Sequence, residues 1–161
     1  MWRRTAALLF WGVWAGLVGA EPADRFEARV FRVVDGDSVW VRREAAGPPL
    51  RLRLAGVDAP EICQPGGVAA RDALVARLAL AGQRVEVRLL GRDSYDRWLA
   101  QLQTTDGDVA RWLVSEGLAW NGGSYARQEA AARRVRRGVF ATPDPELPRD
   151  FRRRHGPCPF N

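Results

Sequence analysis

The chain has 161 residues, of which 47% are hydrophobic and 27% are charged. This length supports one domain with a substantial core but not comfortably two, and the apolar fraction excludes a disordered chain. The formal net charge is +6 at pH 7, a modest excess that suits a polyanionic partner.

The first 20 residues have the pattern of a secretory signal peptide. Arg3 and Arg4 form its basic start, and the apolar stretch 6–17 is too short for a comfortable membrane span. Small residues at 18–20 place a cleavage site ahead of Glu21, with an uncleaved membrane anchor as the alternative. We therefore expect an exported protein, periplasmic or secreted, with a domain over 21–141 and an extended tail over 142–161.

Five stretches have the pattern of β-strands: the first is rich in Val and Phe, and the other four alternate apolar and polar side chains. They are centred on 26–34, 39–42, 50–54, 84–89 and 97–102. In the third stretch the leucines share one face and the arginines share the other, so Arg53 points away from the core. Arg97 likewise falls on the more polar face of the fifth stretch.

Three helices are expected between and after these strands. The first covers 68–81 and ends at Gly82, and the second is capped by Asp108 and runs through Glu116. The third is capped by Ser124 and runs to 137. Five strands, with one helix after the third and the others near the end, predict an α+β fold built on a five-stranded OB-type β-barrel.

Acidic residues follow two of the predicted strands. Asp37 belongs to the turn 35–37, whereas Asp58 and Glu61 follow the third strand. Three carboxylates near one point repel each other unless a cation lies among them, and hard divalent cations prefer carboxylate oxygens. The alternatives are a simple hairpin turn and unrelated surface salt bridges. An EF-hand is excluded, because the twelfth position of such a loop is Ala46 rather than Glu.

Two arginines complement these acids. Arg53 and Arg97 together would form a clamp for a phosphate group, although each is also ordinary as a solvated strand residue. Tyr95 lies on the same strand face as Arg97 and is placed to hydrogen-bond a phosphate oxygen, or else it is an aromatic at the edge of the core. Carboxylates that hold a cation and a guanidinium pair are the groups needed to cut a phosphodiester.

The two cysteines, Cys63 and Cys158, permit one intramolecular disulfide, and export would preserve it. Such a bridge would fasten the tail beside the Asp58 and Glu61 loop; two free buried thiols are the alternative. The single histidine, His155, lies in the expected tail, which argues against histidine-based catalysis and, with two distant cysteines, against a zinc site.

The segments DGDSV, RLAGVDAPE, DSYDR and WLVSEGLA together resemble the staphylococcal nuclease (thermonuclease) family over about residues 27–140. The resemblance implies a calcium-dependent nuclease on a five-stranded OB barrel with three helices, which cleaves DNA and RNA to 3′-phosphate products. The implied partners are single-stranded or otherwise accessible DNA and RNA, and we expect a monomer. A non-catalytic nucleic-acid-binding OB module and a calcium-stabilised envelope domain are the alternatives.

The resemblance also assigns roles to the acidic residues. Asp37 and Asp58 resemble the calcium ligands of the family. Ala59 matches a position at which the family uses a backbone carbonyl as a ligand. Glu61 resembles the residue proposed to activate or orient the attacking water, and it is a possible further ligand.

The basic and aromatic residues receive roles in the same way. Arg53 and Arg97 resemble the catalytic pair that binds the phosphate and stabilises its extra charge. Tyr95 and Tyr125 match aromatic residues that line the nucleotide pocket. Asp96 departs from the pattern, because the best-known member has glycine there, and its negative charge is expected to weaken phosphate binding or to re-aim Arg97.

Overall fold

The computed structural model describes residues 25–45 and 47–159, so the predicted signal peptide lies outside the described residues. Within these ranges, no helix has the length and apolar character needed to cross a membrane. The strands are β1 (Arg25–Val33), β2 (Ser38–Arg43), β3 (Leu50–Leu54), β4 (Val57–Asp58), β5 (Arg84–Arg92), β6 (Trp98–Thr104), β7 (Gly107–Asp108) and β8 (Trp120–Asn121). The helices are α1 (Gly67–Leu80), α2 (Val109–Ser115), α3 (Ala126–Arg134) and α4 (Pro148–His155), with a 3-10 turn at Gly138–Ala141.

The five long strands close into a barrel. They pair in the order β3-β2-β1-β5-β6 with antiparallel neighbours, and a parallel pairing of β3 with β6 completes the ring. The interior is filled by aliphatic side chains from every strand, among them Val39, Val41, Leu52, Val87 and Leu102. The expected α+β fold on a five-stranded OB-type barrel is therefore confirmed.

The pairing of β3 fixes the position of its central arginine. Leu52 and Leu54 are buried in the core, as their alternation predicts, and Arg53 between them points the other way. The β2–β3 register aligns Arg53 with Ser38, directly after the turn that carries Asp37. Arg53 therefore extends toward the turn between β1 and β2.

The helix ends agree with the predictions at one cap and differ at another. Asp108 precedes α2, and its side chain accepts a hydrogen bond from the first turn of that helix, as predicted. Ser124 does not cap α3, which begins at Ala126 without a side-chain cap. The loop ahead of α3 is closed instead by Asn121, whose Oδ1 atom accepts the N–H of Tyr125 at 2.6 Å.

The C-terminal tail, predicted to be extended over 142–161, forms the helix α4 at Pro148–His155, so that prediction is wrong for those residues. Pro148 stands in the first turn of this helix, where its fixed φ is compatible with helical geometry. Phe151 is buried and holds the helix against the domain. The two cysteines form the disulfide Cys63–Cys158, with the Cα atoms 5.7 Å apart.

Candidate active site

Asp37 lies in the turn between β1 and β2, and its side chain is almost completely buried, with 1% exposed. Its Oδ2 atom accepts a hydrogen bond of 2.7 Å from the N–H of Ala59, and its Oδ1 atom accepts one of 3.2 Å from the Ser38 hydroxyl. Gly36 permits this approach, since a Cβ atom there would lie 2.7 Å from that of Ala59. The observed contact of Ala59 is through its N–H; the carbonyl role stays a prediction.

Arg53 lies between two of the candidate acids. Its Nη1 atom donates to Asp37 and its Nη2 atom donates to Asp58 at 2.7 Å, and the side chain is only 14% exposed. Burial raises the pKa of the Asp37 carboxyl well above its ordinary value, and the guanidinium of Arg53 opposes that shift. The ionised form of Asp37 therefore depends on a positive charge beside it, such as the guanidinium of Arg53.

Glu61 is held at both its backbone and its side chain. Its N–H donates to Oε1 of Gln64 at 3.1 Å. Its carboxylate accepts a hydrogen bond from Nη1 of Arg152, which also lies 3.4 Å from Asp58. Sequence reasoning missed this contact and assigned residue Arg152 only to an extended tail. The signal that could have found it is the proximity of Arg152 to Cys158, since the predicted disulfide brings the tail to the loop that follows Glu61.

Arg97 is oriented by Asp93, whose carboxylate accepts its Nε–H at 2.7 Å. The exposed ring of Tyr95 lies beneath the same guanidinium, with 5.4 Å from Cζ to the ring centroid. Asp96 adopts a positive φ of 57°, a conformation that glycine takes without strain and aspartate tolerates. Its carboxylate pairs with Arg92 at 2.7 Å, so its charge is offset at a residue other than Arg97.

Four of the residues singled out in the sequence line one cavity of about 560 Å³, and they are Arg53, Glu61, Tyr95 and Arg97. Arg152 lines the same cavity. Asp37 and Asp58 adjoin it through their hydrogen bonds to Arg53. The fold thus brings both predicted arginines and all three predicted acids into one connected group, although they come from three separate stretches of the chain, at 37, 53–61 and 97.

Tyr125 is not part of this group. Its side chain is 6% exposed and belongs to the barrel core, and its hydroxyl donates to Asp108 at 3.0 Å. Burial, followed by that hydrogen bond, raises the pKa of Tyr125 to about 12. Tyr125 does not line the cavity of Arg53 and Arg97, because the loop closed by Asn121 directs its ring inward against Gly56; its role at a nucleotide pocket stays a prediction.

The carboxylates of Asp37 and Asp58 suit a hard cation, although the structure brings together fewer acidic ligands than the sequence predicted. Asp37 and Asp58 present carboxylate oxygens, the ligands that calcium and magnesium prefer. Both carboxylates are paired with the guanidinium of Arg53, which lies between them. Glu61 is paired with Arg152 instead of joining them. Among residues 25–45 and 47–159, no three His, Cys, Asp or Glu side chains converge as metal ligands. A cation here would take its remaining ligands from backbone, water or substrate oxygens.

Comparison with known proteins indicates the family to which the chain is related. The sequence model of a family described as staphylococcal nuclease homologue matches residues 51–140, which include Arg53, Asp58, Glu61 and Arg97. The micrococcal nuclease of Shigella flexneri is 34% identical over 149 residues, covering 80% of this chain and 81% of that protein. The probable staphylococcal-like nuclease CAN2 of Oryza sativa subsp. japonica is 32% identical over 109 residues, 64% of this chain and 29% of its own length. The chain therefore spans less than a third of that plant relative.

Proposed function

Since the chain belongs to the staphylococcal nuclease family, we propose that it is a nuclease, a hydrolase that cleaves phosphodiester bonds in nucleic acids. The observation that carries the proposal is the meeting of Arg53, Arg97 and Glu61 at one cavity, with Asp37 and Asp58 bound to the first of these arginines. A pure binding module has no use for carboxylates beside a phosphate site, because they repel the ligand.

Arg53 and Arg97 would bind the scissile phosphate and stabilise the transition state of its cleavage. A guanidinium has five N–H donors, and the Asp37 and Asp58 contacts of Arg53 leave several of them free for phosphate oxygens. Arg97 is held by Asp93, so its donors are also fixed before the substrate arrives. In-line attack builds negative charge on the equatorial oxygens, and fixed donors stabilise that charge with little reorganisation.

Glu61 would accept a proton from the attacking water or orient that water. Its carboxylate lines the cavity, and its backbone is tied to Gln64, which limits the positions that the side chain reaches. Asp37 and Asp58 would hold the cofactor, for which we propose Ca²⁺. When bound, such a cation polarises the phosphate and offsets its charge.

The proposed substrates are accessible, mostly single-stranded DNA and RNA, cleaved to products that end in a 3′-phosphate. Tyr95 is 79% exposed beside Arg97, where its ring is available to a base or its hydroxyl to a phosphate. We expect low sequence specificity and steep weakening of binding by salt, since phosphate contacts dominate this site.

We also propose that the protein is exported, to the periplasm or outside the cell, and acts as a monomer. The signal-like pattern over 1–20 and the disulfide both support export, because disulfides persist in oxidising compartments. The mass of the mature chain tests this proposal: cleavage ahead of Glu21 supports it, and an intact N-terminus in the exported fraction would contradict the cleaved signal.

Digestion of single-stranded DNA and RNA, with Ca²⁺ or with chelator, tests the activity and the cofactor together. We expect cleavage only with the cation, and 3′-phosphate ends by end-group analysis of the products. Binding without cleavage under both conditions would instead identify a non-catalytic OB module. Cleavage that persists in chelator would refute the calcium requirement.

A further inference from the structure

The C-terminal segment is fastened to the loop that carries Glu61. The disulfide joins Cys158 to Cys63, two residues after Glu61. The buried side chain of Gln64 donates to the carbonyl of Glu146 at 2.7 Å and accepts the N–H of Glu61 at 3.1 Å. The position of α4 is therefore coupled to the position of a candidate catalytic carboxylate.

Among the four arginines of α4, the ion pairs in the described structure separate Arg152 from the rest. Arg149 and Arg153 pair with Asp150, and Arg154 pairs with Glu146, so these three make only local contacts within the C-terminal segment. Arg152 reaches residues more than 90 positions earlier in the chain. It also lies beyond the residues 51–140 that match the family.

Arg152 contacts two acids of the candidate site at once. Its Nη1 atom bonds to Glu61 and lies 3.4 Å from Oδ1 of Asp58, while its Nη2 atom lies 3.5 Å from Oδ2 of Asp58. The side chain is 40% exposed at the cavity that Arg53 and Arg97 also line. An ion pair this exposed contributes little to stability, so stability alone does not account for its position.

The charge balance of the cavity indicates what this guanidinium does. Within the described residues, Arg152 is the cationic partner of Glu61. Without Arg152, a phosphate that approached Glu61 would meet a carboxylate that has lost this partner, whereas Asp58 would keep its ion pair with Arg53. With Arg152 present, a forked donor that matches phosphate oxygens lies at the cavity surface, next to the acids that would otherwise repel the substrate.

We propose that Arg152 is a third phosphate-binding arginine of the active site, supplied by the disulfide-anchored C-terminal helix. In the free protein it rests against Asp58 and Glu61, and in the substrate complex it donates to a phosphate oxygen. This inference rests on the proposed function. It has a second consequence, because Arg152 and a divalent cation compete for the negative charge of Asp58. Removing Arg152 should therefore strengthen cation binding and weaken substrate binding.

The test compares Arg152→Ala and Arg152→Lys with Arg153→Ala, a control on the same helix whose partner is Asp150. Four quantities are measured on the full mature chain: the Kd for a fluorescent single-stranded DNA decamer in chelator, kcat and KM for that decamer with Ca²⁺, and the Kd for Ca²⁺ alone by calorimetry. For Arg152→Ala we expect the decamer Kd and KM to rise about 10- to 100-fold, the loss typical of a charged hydrogen bond. We expect the Ca²⁺ Kd to fall.

The lysine variant should retain part of the decamer affinity, because it keeps the charge without the fork. The Arg153→Ala control should match wild type within about twofold in all four quantities, since surface ion pairs contribute little. An unchanged decamer Kd in Arg152→Ala would overturn the inference. Weaker Ca²⁺ binding together with a lowered Tm would also overturn it, because that result would show that Arg152 has a structural role. If wild type binds the decamer but never cleaves it, the proposed function fails, while the decamer Kd still decides the role of Arg152.

Discussion

The Nη2 atom of Arg53 lies 2.7 Å from Oδ1 of Asp58, the residue five positions later at the end of β4. The other terminal nitrogen of the same guanidinium bonds to Asp37, so one planar group joins the two acids that are candidates for cation binding. Since a guanidinium that bridges two carboxylates is fixed in orientation, Arg53 is organised for a phosphate before any substrate binds.

The first prediction concerns that bridge. Arg53→Ala should lower kcat/KM by about 100- to 1000-fold, the usual cost of losing one fixed donor to a charged transition state. Initial rates on single-stranded DNA with Ca²⁺ measure the change. The exposed strand arginine Arg84, paired with Glu44, gives a matched control, and Arg84→Ala should keep near wild-type activity. An Arg53→Ala variant that folds and retains most of its activity would exclude the clamp.

The second prediction concerns Arg97 and the carboxylate of Asp93 that holds it. Arg97→Ala should lose activity on the same scale as Arg53→Ala. Asp93→Asn should cost less, about tenfold, because Arg97 remains but loses a charged partner at 2.7 Å. Asp96→Asn is the control: Asp96 pairs with Arg92, and asparagine tolerates its positive φ. A loss in Asp96→Asn equal to that in Asp93→Asn would show that Asp93 has no specific role in holding Arg97.

The third prediction follows from the buried phenol of Tyr125. Its pKa is about 12 in the folded protein, raised by burial and then by Asp108, whereas an unfolded tyrosine titrates near 10. Between these two pH values the folded state holds a proton that the unfolded state has released, so the free energy of unfolding falls as pH rises. Below pH 10 the group makes no pH-dependent contribution.

Urea denaturation at a series of alkaline pH values checks this effect. Tyr125→Phe removes the titrating hydroxyl, so its stability should fall less steeply from pH 10 to 12 than that of wild type. The exposed Tyr95 provides a matched control, and Tyr95→Phe should reproduce the wild-type slope. Equal slopes for all three proteins would contradict the assignment to Tyr125.

The fourth prediction concerns the disulfide. Cys63 and Cys158 are 95 positions apart, and closing a loop of that length is expected to stabilise the folded state by about 4 to 5 kcal/mol through the entropy of the unfolded chain. The double variant Cys63→Ser/Cys158→Ser should lose roughly that free energy of unfolding, measured with urea. Reductant should destabilise wild type and leave the double variant unchanged. Two alkylatable thiols in native exported protein would show that the bridge does not form.

The barrel was predictable because its strands carry a local signal. Period-two alternation placed Leu52 and Leu54 inside and Arg53 outside, and the structure confirms all three positions. The cap at Asp108 was predictable for the same reason, since it depends only on the next helical turn. Ser124 was equally plausible as a cap, but Asn121 already satisfies the backbone of that loop from outside the helix.

Two features that the sequence did not reveal arise from contacts between distant segments. Tyr125 follows a glycine-containing loop whose path cannot be read from periodicity, and the core of the barrel accepts its ring. The C-terminal tail is rich in proline, which indicates an extended chain, yet Pro148 is compatible with the first turn of a helix and Phe151 provides a buried anchor.

The sequence by itself determined which side chains share a strand face, and hence that Arg53 and Arg97 avoid the core, because successive side chains of a strand alternate between its two faces. Only the tertiary structure decided which charges meet. Arg152 and Glu61 are 91 positions apart, and no periodicity links them. Their contact depends on closure of the barrel, the disulfide and the packing of α4, all of which are set by the whole chain rather than by any local pattern.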